Sequence, residues 1–135
     1  MVDQRYRKNQ GAVFSLKYHL VWCPKYRLPV LVGAVADRLA ALLRQKAGEL
    51  DTQVRALEVM PDHVHLFIEA DPTLAPAHVA NQFKGFTSRL LRQEFRHLRS
   101  RMPALWSRSY YVGSVGHVSE ATVKRYIASQ KTRGK

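Results

Sequence analysis

The sequence holds a single cysteine, Cys23, in 135 residues. That excludes an internal disulfide, leaves no cysteine partner for a zinc site and suits a reducing cytoplasm; Cys23 reads as a small buried strand residue. A long apolar run is also missing, because the longest candidate, Leu28 to Leu43, is broken by Asp37 and Arg38, and about 18 uninterrupted apolar residues are needed to span a bilayer. The polar, charged stretch Met1 to Lys8 has no apolar segment behind it and is no secretory signal. There is no internal repeat, low-complexity segment or linker. A soluble protein of one domain, residues 1–135, is expected, and the 46% of hydrophobic residues suffices for one modest core.

Negative charge is the other scarcity. Ten Asp and Glu stand against 22 Lys and Arg, a formal net charge of +12. The excess is uneven: residues 84–135 hold 12 basic and 2 acidic residues, whereas residues 1–83 hold 10 and 8. A single-sign imbalance of this size repels itself unless a polyanion meets it, so the second half points to nucleic acid. No segment combines a basic face with a wide apolar face free for lipid, which argues against a membrane surface.

What is present is patterned. From Val13 to Cys23, Phe14, Leu16, Tyr18, Leu20 and Trp22 alternate with Ser15, Lys17 and His19, the period of a half-buried strand, stopped by Pro24 and Pro29. Leu31, Val35, Leu39, Leu42 and Leu43 share one face of a helix over Leu31 to Leu50. Thr52 to Met60 and His63 to Ala70 read as two strands joined by a tight Pro61-Asp62 turn, with Asp62 shaping the turn. Pro72 and Pro76 open a second helix with a buried stripe of Val79, Phe83, Phe86 and Leu90, and with Arg89, Arg92, Arg96 and Arg99 along another side. A strand around Tyr110 to Val115 and a helix from the N-cap Ser119 to about Thr132 complete the order β-α-β-β-α-β-α. Its first six elements match the ferredoxin-like α+β arrangement: an antiparallel sheet, helices on one face, and the other face open to a ligand.

Two pairs carry candidate chemistry. His63 and His65 are two apart in a strand, so both imidazoles project to one face, opposite Val64, Leu66 and Ile68. They can converge on one cation. Spacing alone does not separate this from two exposed strand histidines. Tyr126 and Gln130 are four apart in the last helix and share a face, where Gln130 could complete a metal site and Tyr126 could face a phosphate held there. The same spacing also fits a buried stripe with Val123 and Ile127.

Several segments together resemble one family: Tyr18-His19-Leu20-Val21-Trp22-Cys23-Pro24-Lys25-Tyr26-Arg27, Met60-Pro61-Asp62-His63-Val64-His65-Leu66, Lys84-Gly85-Phe86-Thr87-Ser88-Arg89, Leu105-Trp106-Ser107 to Ser114-Val115-Gly116, and Val123-Lys124-Arg125-Tyr126-Ile127. In this order and at these separations the chain resembles the single-tyrosine HUH transposases of the insertion-sequence 200/605 group. The resemblance implies that His63 and His65 bind a divalent ion, Mg2+ or Mn2+, that Gln130 is its third ligand, and that Tyr126 is the nucleophile. The product implied is a 5′-phosphotyrosine with a free 3′-hydroxyl, so a strand can be rejoined elsewhere without ATP.

The resemblance further implies a bacterial or archaeal cytoplasmic protein acting as a homodimer on single-stranded DNA with hairpin ends. The tyrosine helix of one subunit would reach the HUH site of the other; Gly113 and Gly116 are a candidate tether, though the residues here leave cis or trans action open. Lys17, Lys25, Arg27, Lys84, Arg89, Arg92 and Arg96 are candidate phosphate contacts, and Trp106, Tyr110 and Tyr111 stack on bases or belong to the core. Two other readings are a hairpin-processing nuclease that keeps the HUH chemistry and a non-enzymatic binder using the sheet as RNA-binding modules do; the second lacks their paired aromatics.

Overall fold

The computed structural model describes residues 7–9, 12–14, 16–114 and 120–133, with side chains at 16–114 and 124–130. Strands β1 (Arg7–Asn9) and β2 (Ala12–Phe14) form a small antiparallel ribbon of their own. The strand expected from Val13 is therefore divided: Val13 and Phe14 belong to the ribbon, and β3 runs over Leu16–Trp22. After it come α1 (Gly33–Glu49), β4 (Gln53–Met60), β5 (His63–Ala70), α2 (Pro76–Glu94), α3 (Arg96–Ser100), β6 (Tyr111–Ser114) and α4 (Glu120–Arg133).

The main sheet has the order β4-β5-β3-β6 and every pairing in it is antiparallel. Together with the two crossover helices this is the ferredoxin-like α+β fold expected from the sequence. β3 and β5 are central, and their pairing runs without interruption from Leu16↔Ala70 to Trp22↔Val64. Alternation then sorts the side chains. Leu20, Trp22, Val64, Leu66 and Ile68 turn to one face and are fully buried against α1, through Val35, Leu39, Leu42 and Leu43, and against α2, through Val79, Ala80, Phe83 and Leu91. In β4 a bulge between Val54 and Ala56 lets Val54 and Leu57, three residues apart, pack on the same core.

The second helix differs from the expectation in two ways. Its buried face includes Ala80, Lys84, Thr87 and Leu91, while Phe86 and Leu90 are only half-buried. The face has rotated because the segment around Trp106 packs there: Trp106 Nε1 donates to Thr87 Oγ1 at 3.0 Å, and the Trp106 and Trp22 rings meet edge to face. The helix also stops at Phe95, which takes extended angles (φ −121°, ψ 101°). Arg96 and Arg99 therefore sit on α3, and a continuous arginine stripe does not form. The Ser119 cap and Gly116 lie outside the described residues; Gly113 belongs to β6, paired with His19. Among the described residues no helix is long and apolar enough to cross a membrane.

Phe83 is fully buried where α2 meets the sheet. Phe83→Ala should destabilise the protein by about 3–5 kcal/mol, through lost transfer energy and the cavity left behind. Urea unfolding monitored by circular dichroism would measure it; a loss near zero would mean that this interface is not packed as described.

Candidate active site

The uncovered face of β5 carries His63 and His65, both half-buried, with ring centroids 4.8 Å apart. Each imidazole has its Nδ1 engaged. His63 Nδ1 lies 2.8 Å from Asp62 Oδ1, and because a carboxylate only accepts, the proton sits on Nδ1 and the lone pair on Nε2. His65 Nδ1 lies 3.1 Å from Nε2 of His19, which reaches across from β3. The tautomer that donates from His65 Nδ1 to His19 likewise leaves Nε2 bare. Among the described residues neither Nε2 takes a hydrogen bond. Two imidazoles oriented through one nitrogen and open at the other are what a divalent ion requires.

Burial lowers the pKa of His19 from its ordinary value. Burial, then repulsion from any charge that His63 or His19 takes up, lowers that of His65, against a smaller opposing effect of Glu58. Both shifts favour the neutral ring, the form that ligates. Beside them an open pocket of about 380 Å³ is lined by His19, Ala56, Leu57, Glu58, His65 and Phe67.

The rest of this face is occupied. Val21 and Cys23 point toward it yet are fully buried, and burial drives the Cys23 thiol up to about 12, so it is inert. α4 covers them. The ring of Tyr126 lies 6.5 Å from that of Tyr111, and register aligns Tyr111 with Val21 and Val21 with His65. Tyr126 therefore stands over the same face as the histidines, with one strand between. Gln130 is fully buried in α4: its amide oxygen accepts from Ser107 Oγ at 2.9 Å and from Ser109 Oγ at 3.0 Å. The structure thus joins Tyr126 to Gln130 and His63 to His65, and puts both pairs on one face, while the Gln130 oxygen is held by serines. Among the described residues no three His, Cys, Asp or Glu side chains cluster to hold a metal, so the histidine pair would need an amide, water or phosphate oxygen to complete a shell.

Arg27 links the two halves. Its Nη1 donates to the Ile127 carbonyl of α4 at 3.3 Å. Its Nε lies 2.9 Å from Asp62 Oδ2, a close ion pair whose N–H is not aimed along that line and makes no hydrogen bond. Tyr26 and Arg27 both have left-handed backbones (φ 61° and 54°), which costs an L-residue roughly 1–3 kcal/mol unless its surroundings impose it. Here the surroundings do: Lys25 N–H donates to Leu105 O and Arg27 N–H to Pro24 O, each at 2.8 Å.

Comparison with known proteins gives the family. The family model "Transposase IS200 like" matches residues 12–130. The chain belongs to the IS200-like transposase family. It is 40% identical over 126 residues to the ISDra2 transposase TnpA of Deinococcus radiodurans, covering 92% of this chain and 90% of that one. It is 29% identical over 119 residues to the transposase for insertion sequence element IS200 of Salmonella typhimurium, covering 87% and 78%. The crystal structure of a protein assigned as a transposase from Deinococcus radiodurans R1 superposes with a TM-score of 0.86 at 39% identity, covering 92% of this chain and 97% of that one. A tyrosine transposase solved on a REP hairpin shares the fold at a TM-score of 0.56 and 10% identity, covering 94% and 68%.

Within this transposase the expected phosphate contacts divide. Arg89 and Arg96 are exposed, and Lys17 and Lys25 half-exposed. Lys84 is instead buried, its ammonium donating to the carbonyls of Ser107 at 2.7 Å and Ser109 at 3.1 Å. Arg92 donates to the carbonyls of Met102 and Pro103, and Arg27 is spent on Asp62 and α4. These three have internal partners where phosphates were expected. Trp106 is core, and Tyr110 packs against it. Sequence reasoning missed His19, although it lies in the polar series of its strand, and read Asp62 only as a turn residue.

The depressed histidines set a pH dependence. A folded-state pKa below the ordinary 6.5 means that, as pH falls through 6.5, the unfolded chain binds protons first and stability declines. The His19 and His65 resonances should titrate with midpoints below 6.5 in NMR, and the melting temperature should drop below that pH, less steeply in His65→Gln. Midpoints at or above 6.5 would contradict the geometry.

Proposed function

We propose that this transposase cleaves and rejoins single-stranded DNA at hairpin-bearing element ends, with Tyr126 as nucleophile. The observation that carries the reading is the pair His63 and His65, each oriented through Nδ1 and open at Nε2, on the same sheet face that receives the helix of Tyr126. Transposition itself follows from the family; the REP hairpin bound by the fold neighbour supports hairpin DNA as the substrate class.

Magnesium or manganese would be held by Nε2 of His63 and His65, with Gln130 as third ligand once its oxygen leaves the two serines. Such an ion, when bound, supplies positive charge against that developing on the phosphate oxygens. The chain supplies the rest. The Tyr126 oxygen bonds to phosphorus, the bond to the 3′ oxygen breaks, and that oxygen leaves as a 3′-hydroxyl, taking up a proton. A phenol, ionising near pH 10 (about 10), gives its oxyanion far more readily than an aliphatic hydroxyl. The 5′-phosphotyrosine conserves the bond energy for the reverse attack. Asp62 orients His63, and His19 orients His65. The exposed Arg89 and Arg96, with Lys17 and Lys25, are placed to meet backbone phosphates.

Incubation with single-stranded DNA from the flanks of its own element should give a covalent protein-DNA adduct that requires the divalent ion. Tyr126→Phe should abolish the adduct, and His63→Ala should reduce it by about a hundredfold or more. An adduct that persists in Tyr126→Phe would overturn the nucleophile, and equal cleavage of duplex DNA would overturn the substrate class.

We further propose a homodimer whose sites are shared between subunits. Mixing Tyr126→Phe with His63→Ala should then restore adduct formation, because one site of each heterodimer combines an intact histidine pair with an intact tyrosine. A mixture as inactive as its components would mean that the helix serves its own chain.

A further inference from the structure

Lys84 is a buried ammonium for which no carboxylate partner is found among the described residues. Its donors go to the carbonyl oxygens of Ser107 (2.7 Å) and Ser109 (3.1 Å), and its Nζ lies 5.8 Å from the centre of the Tyr110 ring. Burial has pulled its pKa down to about 8. A charge kept inside without a counter-ion is costly, and an apolar side chain would fill the same space without that cost. The lysine is therefore tied to what it holds.

It holds two hydroxyls. Ser107 and Ser109 are two residues apart, and Ser107 N–H is further anchored to Cys23 O at 3.0 Å. Both hydroxyls meet α4: Ser107 Oγ and Ser109 Oγ bond Gln130 Oε1, and Ser109 Oγ is also 3.3 Å from the phenol oxygen of Tyr126. Ser109 has only one proton to donate. The Tyr126 O–H can donate to Ser109 while Ser109 donates to Gln130, so one hydroxyl fixes both side chains of α4.

We propose that Lys84 and Ser109 are positioning residues for Tyr126: Lys84 fixes the backbone from which the Ser109 hydroxyl projects, and that hydroxyl orients the phenol. The inference rests on Tyr126 being the nucleophile. Because the Ser109 hydroxyl touches both side chains, it sets the attacking group and the glutamine beside it in one arrangement.

The test uses the full chain carrying 3-fluorotyrosine at position 126, as wild type, Ser109→Ala and Lys84→Met. Binding of a hairpin-bearing single strand is read by fluorescence polarisation and single-turnover adduct formation on denaturing gels. Ser109→Ala should bind DNA within about twofold of wild type yet form adduct about tenfold more slowly. Its fluorophenol resonance, followed by 19F NMR at fixed pH, should move toward the solvent-exposed position, because the ring has lost the hydroxyl that orients it. Lys84→Met should slow the adduct at least as much and move the fluorine resonance toward its solvent-exposed position. Should Lys84→Met fail to fold, Ser109→Ala, which keeps the lysine, decides the matter. An adduct rate within twofold of wild type in Ser109→Ala, or an unmoved fluorine resonance in that variant, overturns the inference. Tyr126→Phe separates the two levels: if it is inactive while Ser109→Ala runs at full speed, only this inference fails, and if it still forms adduct the nucleophile itself is misassigned.

Discussion

The register of β3 against β5 constrains the rest of the molecule. Leu20↔Leu66 and Trp22↔Val64 put four apolar side chains under the two crossover helices, and the same alternation turns His19, Val21, His63 and His65 to the other face. A slip of one residue would exchange the two sets, burying imidazoles among leucines and exposing the core. Burial of a large aliphatic side chain is worth about 1.5–3 kcal/mol, so the apolar set fixes the register and the histidines inherit their geometry from it. The contact between His19 and His65 comes from Val21↔His65 and His19↔Phe67 being neighbouring pairs in one ladder. The site is thus held by the hydrophobic core on the far side of the sheet.

A second constraint acts at the end of β3. Pro24 bridges to Trp106, Lys25 N–H reaches Leu105 O and Ser107 N–H reaches Cys23 O. This short pairing carries the chain from the sheet into the segment that receives α4. Thr87 and Lys84, one turn apart on α2, hold the same segment from behind through Trp106 and the carbonyls of Ser107 and Ser109. α2 therefore serves both faces: Val79, Phe83 and Leu91 fill the core, while Lys84 reaches past the sheet edge toward the helix of Tyr126. That double duty is the physical reason its buried side is rotated from the stripe Val79, Phe83, Phe86, Leu90.

Much of this was legible in the sequence. Period-2 alternation and the Pro61-Asp62 turn gave β3, β5 and the shared face of His63 and His65, because those patterns record burial directly. What stayed hidden depends on contacts between distant segments. His19 reads as one polar strand residue until the β3-β5 register brings it to His65, 46 residues away. Lys84 and Arg92 look like surface cations, because a helical pattern shows which side is apolar but not that a loop will supply carbonyls to a buried ammonium. Arg27 reaches Asp62 only through left-handed angles at Tyr26 and Arg27, which no local signal announces for a Lys-Tyr-Arg tripeptide. The Phe95 break had no glycine or proline to mark it.

The two halves of the site are held by different physics, and this bears on how they can work together. His63 and His65 belong to a strand paired on both sides and backed by the core, so moving them means unfolding the sheet. Among the described residues α4 meets polar partners: Arg27 at the Ile127 carbonyl, Ser107 and Ser109 at Gln130, and Ser109 at Tyr126, with the Tyr111 ring beside Tyr126. Hydrogen bonds of this kind contribute about 0.5–1.5 kcal/mol each, and each can break without unfolding the sheet. Arg27, Ser107, Ser109 and Tyr111 would present the same groups to the helix of a second copy as to that of this chain. A rigid histidine pair facing a helix with exchangeable polar contacts suits the proposed reaction, in which one tyrosine attacks, carries a strand and gives it back.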